Sequence, residues 1–375
     1  MTVLTPDMVT TNLREWLRDH GAGWRNVEVK PIEVALGSGF SAEIFFVDVE
    51  YDTDAGHQAQ SLVVRRQPQN FEVVLGSSLT LQGQMMAALD KWGGAPVPPW
   101  IGMELSPDVL GMPFLVMGKV SGHSATQRPN YNQVGWVADM TPAQRFQSWK
   151  NGIEAFAQLS KLDWQKDGFG FLANAEWGAP GVDQYVGHLL AWYEGCAKGR
   201  DLPYVDAAVE YMKKNKPSNV PVNVLWGDAT PSNVMFDAQG NVAALIDWEL
   251  AALGPSELDL AWWLYFDDLF SRRFGVQRLE GLPTRDESIA IWEAAAGRKA
   301  EHLEYHDIVV ALRMALVVVG AYDRQVGIGN IPTENKSLNA NLMTLYLAER
   351  LGMELPELGP DFYAFMKNLT PVEEK

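Results

Sequence analysis

Residues 222–254 read VNVLWGDATPSNVMFDAQGNVAALIDWELAALG, and this stretch constrains the fold more than any other. Three short apolar runs, VNVL, NVMF and VAALI, alternate with polar turns, and DAQGN (237–241) has the make-up of a tight turn closing a small hairpin. Helical spacing dominates on both sides: 142–162, 182–196 and 205–214 before it, then 256–270, 285–297, 303–326 and 334–352 after it. A two-stranded hairpin is marginal by itself in water, so the surrounding helices have to hold it. A hairpin kept inside a helical region calls for a functional reason.

The first third of the chain has a different period. FSAEIFFVDVEY (40–51) and SLVVRR (61–66) alternate apolar and polar residues across a polar DTDAGH turn, which predicts an antiparallel sheet region. Ahead of it, TPDMVTTNLREWLRDHG has Thr5 as a cap, Pro6 in the first turn and Met8, Val9, Leu13, Trp16 and Leu17 at helical spacing. After it come a helix over 78–92, the proline-rich VPPW and the apolar run PFLVM ending in GKVSGH. The expected fold class is α+β and bilobal, with a small antiparallel β lobe over 1–120 and a larger, mainly helical lobe over 121–375. The break falls near 118–122, and a cleft between lobes is where ligand pockets tend to form.

Composition removes several function classes. Lys plus Arg number 30 against 47 Asp plus Glu, a net charge of −17, so the field of the molecule repels nucleic acid. The single cysteine, Cys196, can form neither an internal disulfide nor a CxxC metal site, and is expected to be a buried small apolar residue. A bilayer span takes about 20 consecutive apolar residues, and the best run, 314–322, is fenced by Arg313 and Asp323. No membrane segment is expected. The N-terminal stretch lacks the basic start and apolar core of a signal peptide, and cytoplasmic placement is the default expectation.

Chemistry concentrates in the hairpin stretch. Asp228 is followed by Asn233 five positions on and by Asp247 fourteen beyond that, directly after VAALI. Magnesium takes oxygen ligands octahedrally and keeps several waters, so Asn233 and Asp247 plus nucleotide phosphates make a sufficient metal site. A carboxylate left uncoordinated beside them, Asp228, can accept the proton of an attacking hydroxyl. Each residue singly also suits a turn, a strand cap or a helix cap; the ordered set favours the chemical reading. Near the other end, LGSGFSAEIFFV places Gly37, Ser38, Gly39, Phe40 and Ser41 at the start of a strand, where glycines admit phosphates to backbone amides; a plain glycine turn between strands explains the same residues. Of the strand pair Arg65 and Arg66 only one can face the cleft. Arg65 is expected to pair with phosphate and Arg66 to face solvent, with Gln82 orienting Arg65 by a hydrogen bond or else sitting as an ordinary exposed helix residue.

The order of glycine loop, strand cation, helix, connector, Asp228, Asn233 and Asp247 resembles the protein-kinase-like fold. WGDATPSNVMFD followed by LIDWELAALGPSELDLAWWL is similar to the aminoglycoside phosphotransferase family, in the branch that includes the kinase-like domain of certain acyl-CoA dehydrogenase proteins. GLPTRDESIAIWEAAAGR (281–298) and YHDIVVALRMA (305–315) look like that branch too. The resemblance covers about 30–350. It implies ATP and Mg2+ as cofactors, Asp228 as catalytic base, Asn233 and Asp247 as metal ligands, and Gly37, Ser38, Gly39, Phe40 and Ser41 over the phosphates. It also implies that Gly118 and Val120 present backbone groups to adenine and that Asp259 braces the catalytic loop. Three positions depart from the family: Trp226 stands where a histidine is usual, Arg65 replaces lysine, and Gln82 replaces the glutamate that would pair with it. An indole can donate one hydrogen bond and accept none, so Trp226 is expected to brace the loop as a donor.

The acceptor should be a hydroxyl of a small molecule, because an aspartate base suits an oxygen nucleophile. Arg272, Arg273, Arg278 and Arg285 favour an anionic acceptor such as a hydroxylated acyl-CoA, with a solvated loop as the other explanation and an aminoglycoside as the alternative substrate. Arg313, inside an apolar helix, is expected to form an internal salt bridge. Trp262, Trp263, Tyr265 and Phe266 are expected to be core. Two competing classes are a nucleotide-binding scaffold without turnover and a protein kinase; the latter is disfavoured because no separate activation segment fits between Asp247 and Glu257.

Overall fold

The computed structural model describes residues 6–30, 33–34, 43–66 and 75–369. Alternation builds its sheet. Strands β1 (Arg25–Val29), β2 (Glu33–Val34), β3 (Glu43–Thr53), β4 (Gly56–Arg66), β5 (Trp100–Glu104) and β6 (Phe114–Gly118) pair antiparallel in the order β1-β3-β4-β6-β5, with β2 also on β3. The β3–β4 hairpin keeps its register from Glu43↔Arg66 to Thr53↔Gly56. Phe45, Val47, Val49 and Tyr51 therefore share one face, which is buried, while Phe46 points outward. Helix α1 (Pro6–His20) closes that face with Leu13, Trp16 and Leu17.

Helix α2 (Leu79–Trp92) starts where the Ser78 side chain accepts from the Leu81 N–H, and stops at Gly93 in the left-handed conformation. Its Met85, Met86 and Leu89 belong to the same buried cluster as Trp149, Trp226 and Trp248, so the sheet half and the helical half share a core.

The helical half follows as α3 (Trp136–Asp139), α4 (Pro142–Ala157), α5 (Val182–Ala197), α6 (Pro203–Lys214), β7 (Asn223–Leu225), β8 (Val234–Phe236), β9 (Val242–Leu245), β10 (Ala252–Gly254), α7 (Glu257–Asp268), α8 (Arg285–Ala296), α9 (Leu303–Gly327), α10 (Leu342–Leu351) and α11 (Pro360–Leu369). The chain is an α+β protein. β8 and β9 form the expected hairpin, Val234 opposite Leu245. β7 finds an unexpected partner in β10, which is too short to show a period in the sequence.

Two helix expectations shift for local reasons. The helix expected over 334–352 begins only at Leu342, because Asn341 accepts from the Met343 and Thr344 N–H groups and so caps it there. The helix expected to run to 270 changes at Leu269–Arg273 into a π-helical turn. Helix α9 is long and apolar enough to cross a membrane, which the fenced 314–322 run did not foretell, but 78% of its apolar window is buried inside the fold. It is packed as a core helix, against α7, α6 and α10. Cys196 is half-buried on α5, less enclosed than expected.

Candidate active site

The Asp228 position is built by a loop between β7 and β8. Gly227 has φ +84, and a Cβ there would meet the Leu250 carbonyl oxygen at 1.9 Å, so only glycine lets the two loops approach this closely. The Asp259 carboxylate, on the first turn of α7, accepts from the Trp226 N–H at 2.8 Å and the Gly227 N–H at 2.9 Å. Asp259 is buried, and burial raises its carboxyl to about 6 against the lowering effect of those two hydrogen bonds. The indole of Trp226 donates to the Ile246 carbonyl at 2.9 Å, which ties this loop to the residue preceding Asp247. Trp226 braces as a donor.

Asp228 follows on this platform, partly exposed. Its Oδ1 accepts from Trp262 Nε1 at 2.8 Å and its Oδ2 from Asn233 Nδ2 at 2.7 Å. Removal from water, with the negative charge of Asp247 adding to it, raises the Asp228 carboxyl above its usual range; Arg313 and the two hydrogen bonds pull the other way. Asn233 also donates to the Asp228 carbonyl, while its own carbonyl accepts from the Ile246 N–H at 2.9 Å. The structure thus brings Asp228 and Asn233 into contact, with Asp247 near enough for its charge to act on Asp228. Asp247 sits at φ +62, a left-handed conformation in which aspartate is among the few non-glycine residues tolerated.

Arg65 lies elsewhere than a simple phosphate contact would put it. Its guanidinium is buried, donates to Asp247 Oδ1 at 2.8 Å and pairs with Glu249. Strand alternation does separate the two arginines, but Arg66 is not left to solvent: it lies over the Phe45 ring and donates to the Leu110 carbonyl. Gln82 is buried rather than exposed, and its Oε1 has no hydrogen-bond partner among the described residues, so it does not orient Arg65. Glu249 was missed from sequence; its signal was the carboxylate two positions after Asp247 in IDWE.

At the connector, the Gly118 N–H bonds the Pro99 carbonyl and the Lys119 N–H bonds the Ser61 carbonyl. An adenine contact by the Gly118 amide is therefore closed, leaving the Gly118 carbonyl and Val120. Gly37, Ser38, Gly39, Phe40 and Ser41 lie outside the described residues.

Three expectations in the helical half need correction. Arg313 makes no ion pair among the described residues: it donates to the Gly227 carbonyl and stacks on the Trp262 ring at 4.3 Å. The guanidinium supports the base loop through a carbonyl and a π face. Trp262 is not merely core, since its N–H holds Asp228; the sequence reading missed it because an apolar run hides a donor. The arginines expected to await an anionic acceptor already have carboxylate partners: Asp268 for Arg272 and Arg273, Asp267 for Arg278, Asp307 for Arg285. Arg272, Arg278 and Arg285 also border a cavity whose α7 residues, Leu264, Asp267 and Asp268, fall on the side of the helix away from Trp262 at about 100° per residue.

Against known proteins, residues 33–297 match the phosphotransferase enzyme family. Acyl-CoA dehydrogenase family member 11 of Homo sapiens is 26% identical over 297 residues, covering 76% of this chain and 36% of that protein. The Rattus norvegicus protein of the same name is 24% identical over the same shares. The chain spans less than half the length of these curated relatives. Among solved structures, a Ralstonia eutropha protein assigned as an aminoglycoside phosphotransferase superposes with a TM-score of 0.67 at 20% identity, covering 92% of this chain and 98% of that one. A type I macrolide 2'-phosphotransferase gives 0.53 at 19% identity, with 95% and 99% covered. With more than half of its length matched, the chain belongs to the phosphotransferase enzyme family, enzymes that transfer phosphate to a hydroxyl group.

Proposed function

We propose that this chain uses ATP and Mg2+ to phosphorylate a hydroxyl group of a small molecule in the crevice around Asp228. The observation that carries this reading is the held carboxylate: Asp228 is fixed by Trp262 and Asn233, and its proton affinity is raised, so it can take a hydroxyl proton during transfer. Phosphoryl transfer depends mainly on positioning and electrostatics, and a base pinned at both oxygens is positioned.

The donors at hand fit a magnesium ion. Among the described residues no three His, Cys, Asp or Glu side chains converge, but Asn233 and Asp247 offer hard oxygens, and the buried Arg65 shows that a cation is stable beside Asp247. Bound there, the ion would neutralise charge on the transferring phosphates. Asn233, through Asp228, links the base to the metal side, and Arg65 and Glu249 set the charge around Asp247. Gly118 and Val120 supply the adenine edge, and Gly37, Ser38, Gly39, Phe40 and Ser41 the phosphate cover. This chemistry is compatible with cytoplasmic placement.

For the acceptor, a hydroxylated acyl-CoA, an anionic compound with an apolar tail, is favoured by one feature. Trp262, Phe266, Phe270 and Phe274 form a ladder with ring centroids 5.0, 5.8 and 5.5 Å apart, beginning at the donor to Asp228 and ending at exposed Phe274. Trp262 and Phe266 are buried and the ladder opens to solvent at Phe274, so an apolar acyl tail would meet it at that end, where a polycation would find no charge on the rings. An aminoglycoside is the second reading; a solved relative is described in complex with hygromycin B. ADP release with hydroxyacyl-CoA thioesters, free hydroxy acids and aminoglycosides tests this directly. Turnover with thioesters that is lost in Asp228→Asn supports the reading. ATP raising the melting temperature of a protein that turns over none of these acceptors would instead make it a nucleotide-binding scaffold.

A further inference from the structure

The cavity behind α7 has a volume of about 530 Å³ and is bordered by α7, the π-helical turn, the start of α8 and α10. We propose that it is a second ligand site, separate from the crevice at Asp228, that takes a phosphoryl-bearing small anion. Volumes of about 300–1,000 Å³ are those of small-molecule sites.

Charge argues first. Arg272, Arg278, Arg285 and Arg350 line the cavity against only Asp267 and Asp268, in a chain whose net charge is −17. The division of partners argues further. Arg272 is held at two nitrogens by Asp268, and Arg278 by Asp267 and the carbonyls of Leu282 and Pro283. Those guanidiniums are occupied. Arg285 and Arg350 are not: both reach the same oxygen, Asp307 Oδ2, at 2.7 and 3.3 Å, so one carboxylate serves two cations from two helices. The Asp307 side chain is 2% exposed beneath them, whereas each arginine side chain is 39% exposed.

A guanidinium carries five N–H donors in a fixed fork. Arg285 places one of them on an acceptor among the described residues, Asp307, and the Arg350 guanidinium carbon lies 5.2 Å from the centre of the Tyr346 ring. Two forks of this kind on one rim match the geometry of phosphate oxygens, which arginine binds in bidentate fashion. Leu264 and Tyr346 give the organic part of such a ligand an apolar wall. The thickness of a helix with its side chains, about 10 Å, keeps this ligand from the base side of α7. Arg350 and Asp307 also lie beyond the segment 33–297 that matches the family, so the site combines the family core with this chain's own C-terminal helices.

The test is calorimetric titration with inorganic pyrophosphate while saturating magnesium ADP fills the nucleotide cleft. One equivalent is expected to bind, with affinity falling about tenfold or more in Arg285→Gln and in Arg350→Gln, and falling less in Arg350→Lys, which keeps the charge. If Arg285→Gln does not fold, the two Arg350 variants decide, with folding checked by circular dichroism. No binding once ADP is present, or binding equally strong in Arg350→Gln, overturns the proposal. Citrate binding more tightly than pyrophosphate overturns its phosphoryl character. None of these outcomes depends on whether the Asp228 crevice transfers phosphate.

Discussion

Helix α7 separates two environments of opposite sign. On one side buried Arg65 pairs with Asp247 and Glu249, and buried Arg313 adds its charge beside Asp228; on the other, Arg272, Arg278, Arg285 and Arg350 border a cavity with two aspartates. The difference lies in how each side is neutralised. The hydrogen bonds on Asp228 come from neutral donors, an indole and an amide, which fix it without forming an ion pair. Behind the helix every guanidinium has a carboxylate, and Arg285 and Arg350 must share theirs. Neutral partners leave a group reactive, and shared charged partners leave it receptive to an added ion.

The largest expected effect is on turnover. Asp228→Asn should lower transfer about 10³-fold while sparing nucleotide binding, and Arg285→Gln should leave transfer unchanged when no anion is added; comparable losses in both would erase the contrast between the faces. Next, Arg65→Gln should cost about 3 kcal/mol in denaturant unfolding without divalent ions, because it removes the buried cation paired with Asp247 and Glu249. Added magnesium should recover part of that, and a failure to recover it would argue against a metal at Asp247.

A pH effect of on the order of 2 kcal/mol comes from Asp259. Its folded carboxyl titrates at about 6 against an ordinary 3.8, so its contribution to stability is fully present below the unfolded value and is lost as pH rises through about 6. Wild type should therefore lose stability relative to Asp259→Asn between pH 4 and pH 6.5 in parallel urea titrations; a constant gap would contradict the raised value. Smallest, Asp307→Asn should cost about 1–2 kcal/mol yet tighten pyrophosphate binding a few-fold, since Arg285 and Arg350 lose their shared counter-charge. Weaker binding in that variant would show that Asp307 orients the two forks.

The contrast also explains what could be read from the sequence. The approach of Asp228, Asn233 and Asp247 to one another was legible because spacing through a hairpin is a local property, and Trp226 was legible as a donor because an indole has no other polar role. Arg65 and Gln82 were misread: strand alternation chooses a face, but a partner 182 positions away, Asp247, decides what that face meets. Trp262 was hidden in an apolar run, where a helix period marks burial and is silent about one N–H aimed at a carboxylate. The arginines of 272–285 were visible as a cluster, but Arg350 and Asp307, which make the cavity, arrive from helices far along the chain. β10 and α3 were too short to carry a period.

The close approach of Gly227 to Leu250 has a consequence for how the site tolerates change. With the Trp226 indole fastened to Ile246 as well, the segment carrying the base and the segment carrying Asp247 are clamped at two points, like the jaws of a single casting. Their spacing is consequently set by backbone shape, so side chains around them can be exchanged without resetting the distance between Asp228 and Asp247.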